Sequence, residues 1–322
     1  MRRLKVGVIG TGKMGRNHVR NYAEEIGHFE LIGVYDANFQ QALKVARQYN
    51  TKAYEDLSEL LGQVEAVSVV VPSSLHREVG TLVAEHNVHA LIEKPLALTS
   101  EDARYLTDLF ESKNLKLQVG HIERFNPVIS ELDKILDKKT VFYIEVHRYS
   151  PFSGSGRITD TSVVEDLMIH DIDLVCHLMH PYKVTDIQAH GERVRSNNTD
   201  FATAMFDFSS HAHAVINASR VSQGKERTIV VHSEDSFIEA DLLARTLTVS
   251  RNTDLVVDLS GDSSYKQDGI VQKIFVPIKE PLRQELLAFY DVLVKGEPVA
   301  VTGKTGAEAV RLCEEIVKKI NP

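Results

Sequence analysis

The segment Gly10-Thr11-Gly12-Lys13-Met14-Gly15 lies between the apolar run Leu4–Ile9 and a stretch up to Gly27 that reads as a helix. No other feature constrains the fold as strongly, because a short strand, a glycine turn and a helix in that order open a parallel strand–helix–strand unit. Gly10 permits the tight turn, Gly12 lets backbone approach a pyrophosphate, and Gly15 lets the helix pack close on the strand. The helix N-terminus then offers unpaired amides and partial positive charge to phosphate groups. Thr11, Lys13 and Met14 fill out the same loop and are assigned with the glycines to a dinucleotide. Glycines cluster in many turns, so the motif needs support. A second strand, Glu30–Tyr35, ends in Asp36, and 36 − 15 places this acid 21 residues after the last glycine. That spacing suits the carboxylate that holds the adenosine ribose hydroxyls. It would repel a 2′-phosphate, and Ala37-Asn38-Phe39 bring no arginine to offset it, so the expected cofactor is NAD and not NADP.

Strand and helix keep alternating to about residue 120. Phe39–Tyr49 and Glu55–Leu61 read as helices, Glu65–Val71 as a near-continuous apolar strand closed by Pro72-Ser73-Ser74, and Leu75–His86 as a helix. Val88–Ile92 is the next strand, Thr99 with Asp102 caps a further helix, and Leu115–Val119 is the last strand of the series. Such alternation predicts an α/β, doubly wound parallel sheet with right-handed crossovers, a Rossmann arrangement, over residues 1–122. The pattern then changes. Val128–Leu136 reads as a helix, Thr140–Arg148 as a strand, Tyr149–Ser162 as a loop and Val163–Met179 as one continuous helix. From Val184 to Phe275 strand follows strand, and two helices at about 281–294 and 304–319 close the chain. Residues 123–322 are therefore expected to form an α+β domain with a large, mostly antiparallel sheet.

Composition narrows the function classes. The 322 residues suggest two domains, and 43% hydrophobic residues suffice for full cores. A net charge of −8 argues against a general nucleic-acid or anionic-membrane binder. Two cysteines, Cys176 and Cys313, make neither a disulfide framework nor a four-thiolate zinc site. Met1-Arg2-Arg3 is like the start of a signal peptide, but the apolar run after it breaks at Gly10. No stretch nears the length of a membrane span, so a cytoplasmic location is expected.

Glu93-Lys94-Pro95 follows the strand Val88–Ile92. A lysine fixed by a proline at the carboxyl end of a buried strand points its amine into the crevice where open α/β sheets bind ligands. A surface lysine before a turn proline is the plain alternative; the position after the glycine motif favours the ligand site. Glu93 and Lys94 are therefore placed beside the nicotinamide. On Val163–Met179, Asp166, His170 and Asp173 would share one face of a regular helix. A secondary alcohol gives up hydride readily only if its hydroxyl proton leaves too, and imidazole titrates in the right range to take it. A carboxylate one turn away can orient the ring or the Lys94 amine, and a lysine cation can stabilise the developing alkoxide. Both His170 and Lys94 can relay a proton, so the sequence leaves open which of them accepts it. Pairs like this also occur as ordinary surface contacts. His177 and His180 continue the helix without a supporting ligand set, and His211 and His213 read as sheet-face residues, so no metal is expected.

Taken together, Gly10–Gly15, Pro72 through His76, Glu93-Lys94-Pro95 and Asp166-x-x-x-His170 resemble the glucose–fructose oxidoreductase/inositol dehydrogenase (Gfo/Idh/MocA) family over nearly the whole chain. The resemblance implies that Lys94, Asp166 and His170 act on a sugar or polyol hydroxyl beside the nicotinamide. It places Pro72, Ser73 and His76 with the cofactor, His76 near the nicotinamide ribose, and implies a cis Lys94–Pro95 bond. The segment Gly120–Pro127 resembles that of family members that oxidise nucleotide-linked amino sugars such as UDP-N-acetylglucosamine. Arg124 and Asn126 in that segment, with Arg148 and Arg157, are the expected substrate-binding residues alongside Asp166 and His170. Guanidinium groups suit a diphosphate, although solvated surface arginines would look the same in sequence. The leading expectation is an NAD-dependent dehydrogenase acting at C3 of such a sugar. The alternatives are an inositol or aldose dehydrogenase, a glycosidase that uses NAD transiently, and a non-catalytic NAD-sensing regulator. Strands such as Phe201–Phe208 and Thr228–Val231 carry apolar residues on both faces, which predicts a homodimer or homotetramer built through the C-terminal sheet.

Overall fold

The computed structural model describes residues 2–25, 27–152, 161–252 and 269–321. The chain divides into two compact units, 1–125 with 279–314, and 126–278 with 315–322. In the first, β1 (Leu4–Ile9), α1 (Lys13–Glu24), β2 (Phe29–Tyr35), α2 (Phe39–Gln48), β3 (Lys52–Tyr54), α3 (Leu57–Leu61), β4 (Ala66–Val69), α4 (His76–Glu85), β5 (His89–Glu93), α5 (Ser100–Ser112) and β6 (Leu117–Gly120) follow in order. The six strands pair in parallel in the order β3-β2-β1-β4-β5-β6. Strand order therefore reverses between β1 and β4, and the crevice at their carboxyl ends is where such sheets take ligands. Both faces are covered, as a parallel sheet requires: Val6, Val8, Val34, Ala66, Val67 and Leu91 are fully buried. The three-residue β3 is not among the expected strands. It is too short to carry an apolar pattern of its own and exists by pairing with β2.

In the second unit, α6 (Pro127–Ile135) precedes β7 (Val141–Pro151), and α7 (Ile169–Met179) precedes β8 (Val184–Glu192). The strands β9 (Phe201–Phe208), β10 (His213–Ser222), β11 (Glu226–Ser233), β12 (Phe237–Asp241), β13 (Thr246–Asn252) and β14 (Gly269–Ile274) complete the sheet. Eight strands run in the order β14-β13-β12-β11-β7-β10-β9-β8, and only β7 and β10 pair in parallel. Alternate residues make one face apolar and buried, among them Ile144, Val146, Ala204, Phe206, Ile216 and Val231. The helix α7 packs on β7 and β10, and α6 on β12 and β13. On the other face Phe142 and Met205 stay 43% and 36% exposed.

Three expectations change. β7 extends to Pro151, through residues expected to be loop. The expected continuous helix 163–179 opens instead with a π-helical turn, Val164–Met168, before α7 begins. Third, 123–322 is not one domain, because the helix α8 (Pro281–Lys295) and the first part of α9 (Gly303–Ile320) belong to the first unit. There Leu282, Leu286, Phe289 and Tyr290 of α8 join the core around Leu4, Tyr22 and Phe29. Among the described residues, no helix is long and apolar enough to cross a membrane.

Candidate functional site

The glycine loop is built by close approach. Gly10 has φ +93°, and a Cβ there would lie 2.4 Å from the Val70 carbonyl oxygen. A Cβ on Gly15 would stand 1.9 Å from the Gly10 oxygen, so only glycine lets α1 start this near the turn. Over Gly12, by contrast, a Cβ meets nothing within 4 Å. Gly12 and Lys13 are exposed and Met14 is half-buried. Asp36 closes the loop from the end of β2. It accepts hydrogen bonds from the Thr11 amide (2.7 Å), the Thr11 hydroxyl (2.8 Å), the Asn38 amide (2.9 Å) and Gln41 Nε2 (3.1 Å). Burial pushes this carboxyl up, but those bonds outweigh it and hold Asp36 below its ordinary value, hence ionised. An open backbone over Gly12 and a fixed anion at the end of β2 fit a dinucleotide whose ribose carries free hydroxyls.

Beyond β4, Pro72 is exposed and Ser73 half-buried, and Ser73–Leu75 forms one 3₁₀ turn into α4. His76, expected near the nicotinamide ribose, opens α4. Its ring is buried, with Nδ1 2.8 Å from the Pro95 oxygen and Nε2 3.0 Å from the Val71 oxygen. Burial lowers its pKa against the opposing pull of those carbonyls. The imidazole thus ties the loop after β5 to the end of β4. The Lys94–Pro95 bond is cis. Glu93 accepts from His18 Nε2 (3.1 Å) through Oε1 and faces the Lys94 amide (3.3 Å) through Oε2.

His18 was missed in the sequence. The signal was there: it falls among Gly15, Val19, Asn21 and Tyr22 on the buried face of α1, where an imidazole must find polar partners. Glu285 was missed in the same way. It sits in the apolar stripe Leu282, Leu286, Phe289, Tyr290 of α8.

The stretch expected to carry the acid–base residues lies in the second unit. Ser162 and Glu165 form a reciprocal capping box: the Glu165 carboxylate accepts from the Ser162 amide (3.0 Å), and the Glu165 amide donates to Ser162 Oγ (3.3 Å). The π-helical turn follows at once, and such turns recur where function re-aims side chains. Asp166 lies in that turn and His170 at the start of α7, both half-buried, so their spacing is not the regular i,i+4 step expected. Asp173 is buried.

Two expected substrate residues make contacts within the protein. Arg148 is 2% exposed and bidentate on Asp171, Nε to Oδ2 at 2.7 Å and Nη2 to Oδ1 at 2.8 Å. Its side chain falls on the covered face of β7, so it anchors α7 to the sheet and does not face solvent. Asn126 caps α6, accepting from the Val128 amide (3.1 Å) and donating to the Leu242 oxygen (3.4 Å). Arg124 is half-buried in the short 3₁₀ turn Ile122–Phe125. Arg157 lies outside the described residues. Among the described residues no group of three or more His, Cys, Asp or Glu is placed to hold a metal ion.

Comparison with known proteins agrees with this architecture. Residues 4–121 match the family described as an oxidoreductase family with an NAD-binding Rossmann fold, and 138–239 match the Gfo/Idh/MocA C-terminal domain. UDP-N-acetylglucosamine 3-dehydrogenase of Acidithiobacillus ferrooxidans is 32% identical, covering 94% of this chain and 93% of its own. A solved structure of that enzyme superposes with TM-score 0.90 at 29% identity, over 99% of this chain and 98% of that one. Myo-inositol 2-dehydrogenase of Thermotoga maritima is 26% identical over 96% of this chain and 94% of its own. The chain belongs to the Gfo/Idh/MocA family of NAD-binding oxidoreductases.

Proposed function

We propose that this oxidoreductase oxidises a secondary hydroxyl of a sugar, at C3 of a nucleotide-linked amino sugar such as UDP-N-acetylglucosamine. The observation that carries the substrate class is the near full-length similarity to a UDP-N-acetylglucosamine 3-dehydrogenase. NAD, when bound, supplies the two-electron acceptor. The Thr11–Asp36 corner and the Gly10–Gly15 loop would hold its adenosine and pyrophosphate ends. His170 takes the hydroxyl proton, Asp166 orients the acid–base group, and Lys94 stabilises the alkoxide as the carbonyl forms. Each part acts mainly in the transition state. Arg124 is the remaining described arginine assigned to a diphosphate.

One observation favours a second reading, a free polyol or aldose as substrate. Arg148 is engaged inside the protein by Asp171, which removes one of the guanidinium groups assigned to an anionic substrate. A panel of UDP-sugars, free sugars and inositols incubated with NAD separates the two. NADH formed with UDP-N-acetylglucosamine alone supports the first; NADH formed only with inositols or free sugars establishes the second. Sugar release without net NADH points instead to a glycosidase.

The same proposal includes self-association. The exposed apolar face of the second unit's sheet, with Phe142 and Met205, is the surface for a homodimer or homotetramer. A monomeric mass by light scattering at micromolar concentration refutes this.

A further inference from the structure

Behind the Glu93-Lys94-Pro95 loop, inside the first unit, polar side chains form a continuous buried chain. The Tyr22 hydroxyl is 2.8 Å from Ser68 Oγ, Ser68 Oγ is 3.0 Å from His18 Nδ1, and His18 Nε2 is 3.1 Å from Glu93 Oε1. Tyr22, Ser68 and His18 are all buried, on α1 and the middle of β4. The partner of Glu93 across the sheet is Gly120, where a Cβ would lie 3.0 Å from Glu93 Cα and 3.3 Å from its Oε2. A side chain at 120 would crowd Glu93, which would have to give by a few tenths of an ångström.

A second acid stands beside this chain. Glu285 is 0% exposed, and neither carboxyl oxygen has a hydrogen-bond partner among the described residues. The Gln118 amide reaches the Glu285 backbone oxygen at 3.2 Å and leaves the side chain alone. Two buried carboxyls that feel each other cannot both ionise cheaply. Glu93 has His18, the Lys94 amide and the Lys94 charge. Glu285 has none of these.

We propose that Tyr22, Ser68, His18 and Glu93, with Glu285 beside them, form a positioning array that sets the negative charge felt by Lys94 and fixes the aim of its loop. The array acts through Lys94 and touches no substrate, so its members are positioning residues; it rests on the catalytic role proposed for Lys94. Burial pushes Glu93 up, but the His18 hydrogen bond and charge and then the Lys94 charge hold it below its ordinary value, so it is the anion. Burial, and after it the charge of Glu93, push Glu285 well up, so it is the neutral acid. Burial likewise raises Tyr22, leaving its hydroxyl protonated. The groups facing Glu93 are His18 from α1, Lys94 from the loop after β5, His76 from α4 and Glu285 from α8. An anion held by two neighbours and one neutral acid keeps a cation beside it without being discharged by it.

The test reads Lys94 itself and needs no substrate. Trace acetylation of the folded full-length protein with acetic anhydride across pH, followed by peptide mass spectrometry, gives the titration of the Lys94 amine. Glu93→Gln removes the charge at constant shape and should shift that titration down by roughly half a unit or more. Glu93→Asp keeps the charge but withdraws it from His18, and should shift it the same way by less; it also serves if Glu93→Gln does not fold. Glu285→Gln should leave the Lys94 titration where the wild type has it near neutral pH. An unchanged titration in both Glu93 variants overturns the array. A shift in Glu285→Gln as large as in Glu93→Gln overturns the assignment of the anion. Lys94→Ala with intact turnover overturns instead the catalytic reading of Lys94, an outcome the labelling result does not depend on.

Discussion

Each unit buries charge in its interior, and the two do it differently. In the second, Arg148 grips Asp171 with two bonds, and Arg220 Nε meets Asp200 Oδ1 at 2.7 Å while the amides of Val194, Arg195 and Ser196 close on Oδ2. Burial pushes Asp200 up, but these donors overwhelm it and hold the carboxyl far down. Asp171 is matched by a guanidinium, and Asp200 by a guanidinium and several N–H groups. In the first unit, Glu93 has an imidazole partner and Glu285 has no hydrogen-bond partner among the described residues. Matched pairs fix architecture, since they gain little from any movement of charge. An imperfectly matched cluster stays sensitive to protonation, and here it lies directly behind Lys94.

The comparison breaks most visibly at the chemistry. Lys94→Ala and His170→Ala should each lower kcat by roughly 10²–10⁴ while the Kd for NAD moves only a few-fold. A fall in NAD affinity that accounts for the whole loss would mean these groups hold the cofactor and do not act on the hydroxyl. Arg148→Ala should behave in the opposite way. It leaves Asp171 buried without its guanidinium partner, which costs about 3–5 kcal/mol of stability, measured by urea denaturation. If Arg148→Ala instead raises KM for a sugar nucleotide at unchanged stability, the matched pairs of the second unit are not purely architectural.

This asymmetry also explains what the sequence disclosed. The Gly10–Gly15 loop and Asp36 are legible because strand, turn and acid lie in one local stretch, and their chemistry depends on spacing. Most strands of both sheets are legible from their apolar periods; β3 was not, because three residues cannot show one. The π-helical turn at Val164–Met168 is hidden because Val, Leu and Met suit an α-helix equally well. The burial of Arg148 was not legible, because an arginine on a strand looks alike whether it points to solvent or to an acid on a helix that packs over it. Glu285 belongs to a helix separated by some 160 residues from β6, whose Gln118 it meets, and only the fold brings them together.

Asp36 is the case that sharpens the rule, because it is well matched inside the protein and is also the residue proposed to hold the ribose of NAD. Its four donors hold it ionised, yet it remains half exposed. Asp36→Ala should weaken NAD by roughly 10- to 100-fold, the loss of one or two charged hydrogen bonds to ribose, and narrow the preference over NADP. Isothermal titration with both cofactors decides it. A wild type that prefers NADP, or a variant that binds NAD as before, removes Asp36 from the site and leaves it a structural corner for Thr11.

The most gradual effect, spread over pH, tests the comparison at its root. Glu285 has a folded-state pKa raised above its unfolded value, so the native state binds the extra proton and its contribution is fully present below about pH 4.5. That contribution is lost as pH rises toward the folded value, with a slope of at most about 1.4 kcal/mol per unit for one proton. Glu93 and Asp200 carry the opposite sign: their folded values are depressed, so their contributions are present above the ordinary carboxylate range and lost as pH falls through the folded values. Glu285→Gln removes only the first of these. Urea denaturation should therefore show the variant gaining on the wild type as pH goes from 4.5 to 7, with the acid side of both curves falling together. A stability difference that stays flat across this range would mean Glu285 is ionised and paired after all. The first unit would then bury its acids on the same terms as the second, and the array behind Lys94 would be one more piece of scaffold.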